Sequence, residues 1–244
     1  MFKKAFFLFG ACAFVLLLPA CAPGTVNPEK NMQILIDNMH SNTYDFKGEL
    51  HAQVDEDTLE EMLVLDGTYV PEKGYRLHAD VNMPGFETES DILSLDDQLY
   101  YKLPNSNKWE ATTDQDLRML GIMYKDSPAD LFRGMKEMVL SVEPTETDNV
   151  FQVTLDRTEY AEKTDQEGVM RLPQVDIQSH DLQLKLIENP VVDVEVDLER
   201  NLIRGLTLHY VVKTSLDGQS EQPMTVTYEM QMEHFNEDQT LPEI

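Results

Sequence analysis

From Tyr44 to Val54 the side chains alternate without losing phase. Tyr44, Phe46, Leu50, Ala52 and Val54 take the even positions, with Gly48 among them, and Asp45, Lys47, Glu49, His51 and Gln53 take the odd ones. Successive side chains of an extended strand point to opposite faces, so this phase describes a strand with one side in a core and the other in water. Strands of that kind belong to antiparallel sheets, because parallel ones are covered on both faces. The pattern returns at Tyr75, Leu77, Ala79, Val81 and Met83, and at Val192, Val194, Val196 and Leu198 opposed to Asp193, Glu195, Asp197 and Glu199. It returns again near the end, where Met224, Val226, Tyr228, Met230 and Met232 alternate with Thr225, Thr227, Glu229, Gln231 and Glu233.

Less regular runs at 62–70, 87–95, 98–103, 151–155, 182–186 and 202–213 read as further strands. Pro71–Gly74, Pro84-Gly85 and Glu199–Asn201 are the turns between some of them. Three segments have helical spacing instead. The first runs from about 28 to 42, with Pro28 at the first helical position and Met32, Leu35, Ile36 and Met39 as its apolar stripe. The second covers 114–125. The third opens on the capping sequence Ser127-Pro128-Ala129-Asp130 and carries Leu131, Phe132, Met135, Met138 and Val139 as its stripe. A polar stretch from Thr158 to Gly168 reads as partly helical.

The chain thus predicts one helix, about five strands, two helices, then four or five strands. Long two-faced strands must cover their apolar side, and the helices are the available cover. The expected fold is α+β: a large curved antiparallel sheet, or half-barrel, with helices packed on its concave face. It occupies residues 28–236 as a single domain, with a short tail at 237–244.

The start of the chain is of another kind. Lys3 and Lys4 precede an apolar run from Ala5 to Leu18, followed by Leu18-Pro19-Ala20-Cys21. A basic start, an apolar stretch and small residues make an export signal, and a run of about 14 residues is shorter than the roughly 20 that a spanning helix needs. The Leu-x-Ala-Cys ending resembles the lipobox of bacterial lipoproteins. That resemblance implies cleavage after residue 20 and acyl chains on Cys21, with residues 21–27 as a lipidated tether. Two or three chains hold a protein on a membrane where one binds only marginally.

Loss of residues 1–20 leaves 224 residues and takes the formal charge from −26 to −28. So acidic a protein is unsuited to nucleic acid, whose binding relies on Lys and Arg neutralising phosphates. It is equally unsuited to electrostatic docking on an anionic membrane. Of the two cysteines, Cys12 lies in the signal and Cys21 is the acylation residue. The domain therefore has no disulfide, thiolate metal site or cysteine nucleophile.

The order of elements, with Tyr44-Asp45-Phe46-Lys47-Gly48, Gly67-Thr68-Tyr69-Val70, Tyr75-Arg76-Leu77, and Leu99-Tyr100-Tyr101-Lys102 with Trp109, resembles the LolA/LppX-like lipoprotein-carrier architecture. It is similar in particular to uncharacterised lipoproteins of Gram-positive bacteria. The resemblance implies an apolar cavity between sheet and helices that holds acyl chains or a lipidated partner. It also favours a Gram-positive cell surface. In a host with an outer membrane, Ala22 after the cysteine would make that membrane the default destination.

Met119, Leu120, Met123, Met135, Met138, Met230 and Met232 are the candidate cavity lining, since methionine is unbranched, polarisable and fits irregular apolar ligands. Plain core is the competing role for each of them. Asp193, Glu195, Asp197 and Glu199 cannot chelate one ion unaided, because same-face neighbours on a strand stand about 6.5–7 Å apart. The acids Asp55-Glu56-Asp57 and Glu60-Glu61 read as a solvated loop, with weak surface cation binding outside the cell as the alternative. None of the six histidines has metal-ligand spacing along the chain, and His51 and His78 fall on polar strand faces, which predicts exposure. Trp109 either caps the core or stands at a cavity mouth.

No catalytic motif occurs, so no metal, no cofactor and no enzymatic activity are expected. The expected function is that of a membrane-anchored extracytoplasmic lipoprotein that binds or carries a lipid or lipidated molecule. The alternative is an envelope protein-interaction or sensor domain with a filled core and no small ligand.

Overall fold

The computed structural model describes residues 28–53, 59–83, 86–96, 98–104, 106–119, 127–160, 182–216 and 222–244. Helix α1 (Pro28–Ser41) leads into a meander of six strands: β1 (Tyr44–Gln53), β2 (Leu59–Val70), β3 (Gly74–Met83), β4 (Phe86–Leu95), β5 (Gln98–Lys102) and β6 (Glu110–Thr112). Helices α2 (Asp114–Met119) and α3 (Pro128–Met138) follow. The chain then returns to strands in β7 (Val139–Pro144), β8 (Val150–Leu155), β9 (Leu182–Leu186), β10 (Val191–Asp197), β11 (Leu202–Leu216) and β12 (Gln222–Glu233).

All twelve strands of the described residues belong to one open antiparallel sheet, ordered β6-β5-β4-β3-β2-β1-β12-β11-β10-β8-β7, with β9 on β11. The two halves meet where the first strand pairs with the last, in a register that sets Asp45 against Glu233 and Gln53 against Thr225. β11 is long enough to serve two partners on one edge: β10 pairs with Leu202–His209 and β9 with Val212–Leu216. Among the described residues the protein is mostly sheet.

The alternation predicted for residues 44–53 is the burial pattern observed, with Tyr44, Phe46, Leu50 and Ala52 buried and their neighbours facing outward. Gly48 falls in the buried phase because Tyr228 fills its space: a Cβ there would stand 2.8 Å from the tyrosine hydroxyl. The inward side chains of both sheet halves and the apolar stripes of α1 and α3 form one core cluster. Its members include Phe46, Leu77, Ile92, Phe132, Val153, Val194 and Leu206, each 2% exposed or less.

The helices are fixed by polar contacts at the rim. Ser127 and Asp130 form a reciprocal capping box at the start of α3, with the Asp130 amide donating to Ser127 Oγ at 3.2 Å and the Ser127 amide donating to Asp130 Oδ2 at 3.2 Å. Lys136 of α3 donates to Asp37 of α1 at 2.7 Å. Asn38 of α1 donates to the Asn201 carbonyl at 2.9 Å, in the turn between β10 and β11.

Several boundaries differ from expectation. β6 and β7 bring the described strand count to six before the helix pair and six after it. β6 is three residues long, too short for a period to show. β7 starts at the residue directly after α3, with no glycine or proline at the junction to announce it. Val139, expected on the helix stripe, is instead the extended C-cap (φ −65°, ψ 122°) that opens β7. The helix expected over 114–125 is seen as Asp114–Met119, and 120–126 lie outside the described residues. Of the 158–168 stretch, residues 158–160 are helical and the remainder lies outside the described residues.

Candidate functional site

The two faces of the sheet offer different chemistry. On the inner face, Met135 and Met138 of α3 and Met230 and Met232 of β12 lie in the core cluster and are at most 3% exposed. Met230 sits opposite Gly48 and Leu206, and Met232 opposite Phe46, so the strand pair presents both on the buried side of the sheet. Met32 and Met39 of α1 join the same cluster, and the Met39 sulfur accepts the Ile203 amide at 3.4 Å. Met119 ends α2, but its side chain, together with Leu120 and Met123, lies outside the described residues, as does Cys21.

One end of this core is aromatic. The Tyr44 ring lies 5.2 Å from Tyr69 and 5.7 Å from Phe235, centroid to centroid. Burial, with smaller contributions from Tyr69 and the Asp130 carboxylate, pushes the Tyr44 hydroxyl well above the usual phenol range. Tyr160 and Tyr210 are raised in the same direction, again chiefly by burial. These phenols therefore stay protonated through the neutral range.

The outer face is a polar lattice. Asp91 receives Lys102 Nζ at 2.8 Å and Arg76 Nη2 at 3.2 Å, and His78 Nδ1 stands 3.4 Å away. Burial pushes the Asp91 carboxyl up, but the hydrogen bonds and charges of Lys102 and Arg76 outweigh it and hold the group below the ordinary carboxylate range. The Lys102 ammonium also lies 5.1 Å from the centre of the Trp109 ring, so this half-buried tryptophan takes part in a cation–π contact at the sheet edge.

Within the row Asp193, Glu195, Asp197 and Glu199, the two aspartates are engaged locally, while Glu195 and Glu199 are exposed. Gln152 donates to Asp193 at 3.3 Å, and Asp197 Oδ1 accepts the Glu199 and Arg200 amides at 3.1 and 3.0 Å, closing the turn into β11.

His51 and His78 lie on the outer face as expected but are partly covered, with side chains 18% and 29% exposed. His51 has a neighbourhood that linear spacing did not reveal. It stands beside Glu49 on β1 and directly across from Glu61 on β2, and the ligand atoms of the three lie within 4.8 Å of one another. The local signal was present as Glu49-x-His51 on a polar strand face and acids at Glu60-Glu61. Bringing them together needed the register of β1 on β2.

No protein-family model matches the chain, and no curated protein matches it in sequence. Solved structures do overlap with it. LprF from Mycobacterium bovis is similar with a TM-score of 0.49 and 10% identity, over 88% of this chain and 96% of that one. A LolA-superfamily protein from Nitrosomonas europaea is similar with a TM-score of 0.30 and 8% identity, over 86% of this chain and 94% of that one. The neighbours thus include a member of the group that the order of elements resembles, at scores that assign this chain no ligand or partner.

Proposed function

We propose that this chain is an extracytoplasmic lipoprotein, held to a membrane by acyl chains on Cys21, that binds a lipid or lipidated molecule between its sheet and helices without catalysis. The observation supporting this reading is the methionine content of the interior. Met32, Met39, Met135, Met138, Met230 and Met232 share one cluster between α1, α3 and the apolar sheet face. In this reading the helices lie on the concave side of a curved sheet, and Met119, Leu120 and Met123 extend the lining. Flexible thioether side chains can repack around an irregular apolar guest at little cost in strain. Binding would rest on apolar burial at about 25 cal/mol per Å².

The second reading is an interaction or sensor domain with a filled core and an acidic surface that meets a basic envelope partner. What favours it is that the same six methionines are at most 3% exposed, as in a close-packed interior.

Native mass spectrometry of residues 28–244, which hold every described element, separates the two, followed by organic extraction and lipid analysis. A stoichiometric co-purified lipid that is lost in Met135→Glu or Met123→Glu supports the carrier. Empty protein that also takes up no fluorescent fatty acid or phospholipid sinks it and leaves the filled domain.

A further inference from the structure

We propose that Glu49, His51 and Glu61 form a surface site for a divalent transition cation of the zinc type, on the face of the sheet opposite the apolar core. The ligands stand on two neighbouring strands inside the sheet, with β1 paired on both sides. Glu49 and His51 therefore sit on a backbone held on both sides, and Glu61 is tied to it by the β1–β2 ladder, which suits a metal site.

A register shift aims the third ligand. Glu49 faces Val64 and Leu50 faces Leu63 in regular register, but His51 faces Glu61, so Met62 is the extra residue of a β-bulge. Met62 packs partly buried against the core, and Glu61 is carried outward to the imidazole. Without the bulge the residue opposite His51 would be Met62. Bulges commonly re-aim a side chain in this way.

The donor set is what separates this cluster from the many acids of the surface. An imidazole nitrogen selects zinc, copper or nickel over calcium and magnesium, which prefer all-oxygen shells. The two carboxylates carry a charge that matches a dication. His51 Nε2 and Glu49 Oε2 are already 3.3 Å apart. Ligand atoms bound to zinc at 2.0–2.1 Å in a tetrahedron stand about 3.3 Å from each other. All three ligand atoms already lie within 4.8 Å of one another, and the two carboxylates that must approach are exposed. Glu229 of β12 lies directly opposite Glu49 in the register, which places a further carboxylate on the same face. Three ligands leave a fourth position for water or for a donor from another molecule.

This site uses the outer face only, so it stands or falls apart from the lipid reading. The test is calorimetric titration of the full-length, untagged chain in detergent with zinc chloride, with calcium and magnesium chloride alongside. One equivalent of zinc is expected to bind at least tenfold more tightly than calcium. His51→Ala and Glu61→Gln should each weaken it about 10- to 100-fold, a loss no smaller than that seen when a supporting residue of a metal site is removed. Asp193→Asn, on the same face but outside the cluster, should change nothing. Circular dichroism checks that the variants fold. A measurement without variants is the imidazole nitrogen spectrum of the native chain, in which one histidine should shift on zinc addition. Absence of saturable zinc binding, calcium binding as tightly as zinc, or zinc binding unchanged by His51→Ala would overturn the proposal.

Discussion

The inner and outer faces of the sheet are made from the same strands, one residue apart, and different forces hold them. Inside, Phe46, Leu77, Ile92 and Val194 are wholly covered, so every methyl group counts through dispersion and exclusion of water. Outside, Lys47 stands 3.9 Å from Glu233 with both side chains more than half exposed, and solvent screens the pair. Asp91 lies between these extremes: it is on the outer face, yet its side chain is only 15% exposed and it is gripped by Lys102 and Arg76. An outer-face charge gains weight as its neighbours exclude water.

The largest effect should come from emptying the inner face. Phe132→Ala, at a helix position with no exposed surface, should cost about 3–5 kcal/mol in urea unfolding. A cost below about 1 kcal/mol would mean that the helices do not share the sheet's core.

Two glycines sharpen the contrast at smaller scale. A Cβ on Gly67 would meet the Arg76 carbonyl oxygen at 2.2 Å and the Phe46 ring at 2.5 Å, neither of which can yield cheaply. Gly67→Ala should therefore destabilise by about 1–3 kcal/mol. A Cβ on Gly205 meets only the end of the Gln231 side chain, at 2.9 Å, and that can swing away. Gly205→Ala should stay within about 0.5 kcal/mol in the same assay.

The outer charges should cost less than Phe132 or Gly67. Asp91→Asn should cost about 1 kcal/mol at pH 7, and Lys47→Ala less than about 0.5 kcal/mol. Because the folded Asp91 carboxyl is held below the ordinary range, its contribution is full above the unfolded value, near 4. It fades as the pH falls through the folded value. Unfolding of wild type and Asp91→Asn between pH 7 and pH 3 should therefore converge on acidification. A gap that widens in acid would show that the network holds Asp91 in some other way.

Much of this contrast was legible in the residues. Tyr44 to Gln53, Val191 to Asp197 and Met224 to Met232 declare their buried sides because pleating is local and each residue's face follows from its neighbour's. The start of α3 was legible for the same reason, since a capping box is closed by residues three apart. β6 was too short to carry a period. β7 followed α3 with no breaker, so Val139 continued a helical stripe on paper and began a strand in space. The Glu49–His51–Glu61 cluster was half visible: two members share a strand face, while the third arrives only through the β2 bulge. Within the interior, Met135, Met138, Met230 and Met232 were recognisable as apolar, but nothing local says whether such residues fill a core or line a cavity.

The sequence by itself determined the α+β character, the two-sidedness of the strands, the acidity of the chain and the lipobox-like start. All of these are properties of short windows or of composition. Only the tertiary structure decided that β1 pairs with β12, that β9 and β10 share one edge of β11, and that Glu61 faces His51. Pairing between distant segments is chosen by the summed packing of whole faces and by single-residue shifts in register, and no local pattern encodes that sum.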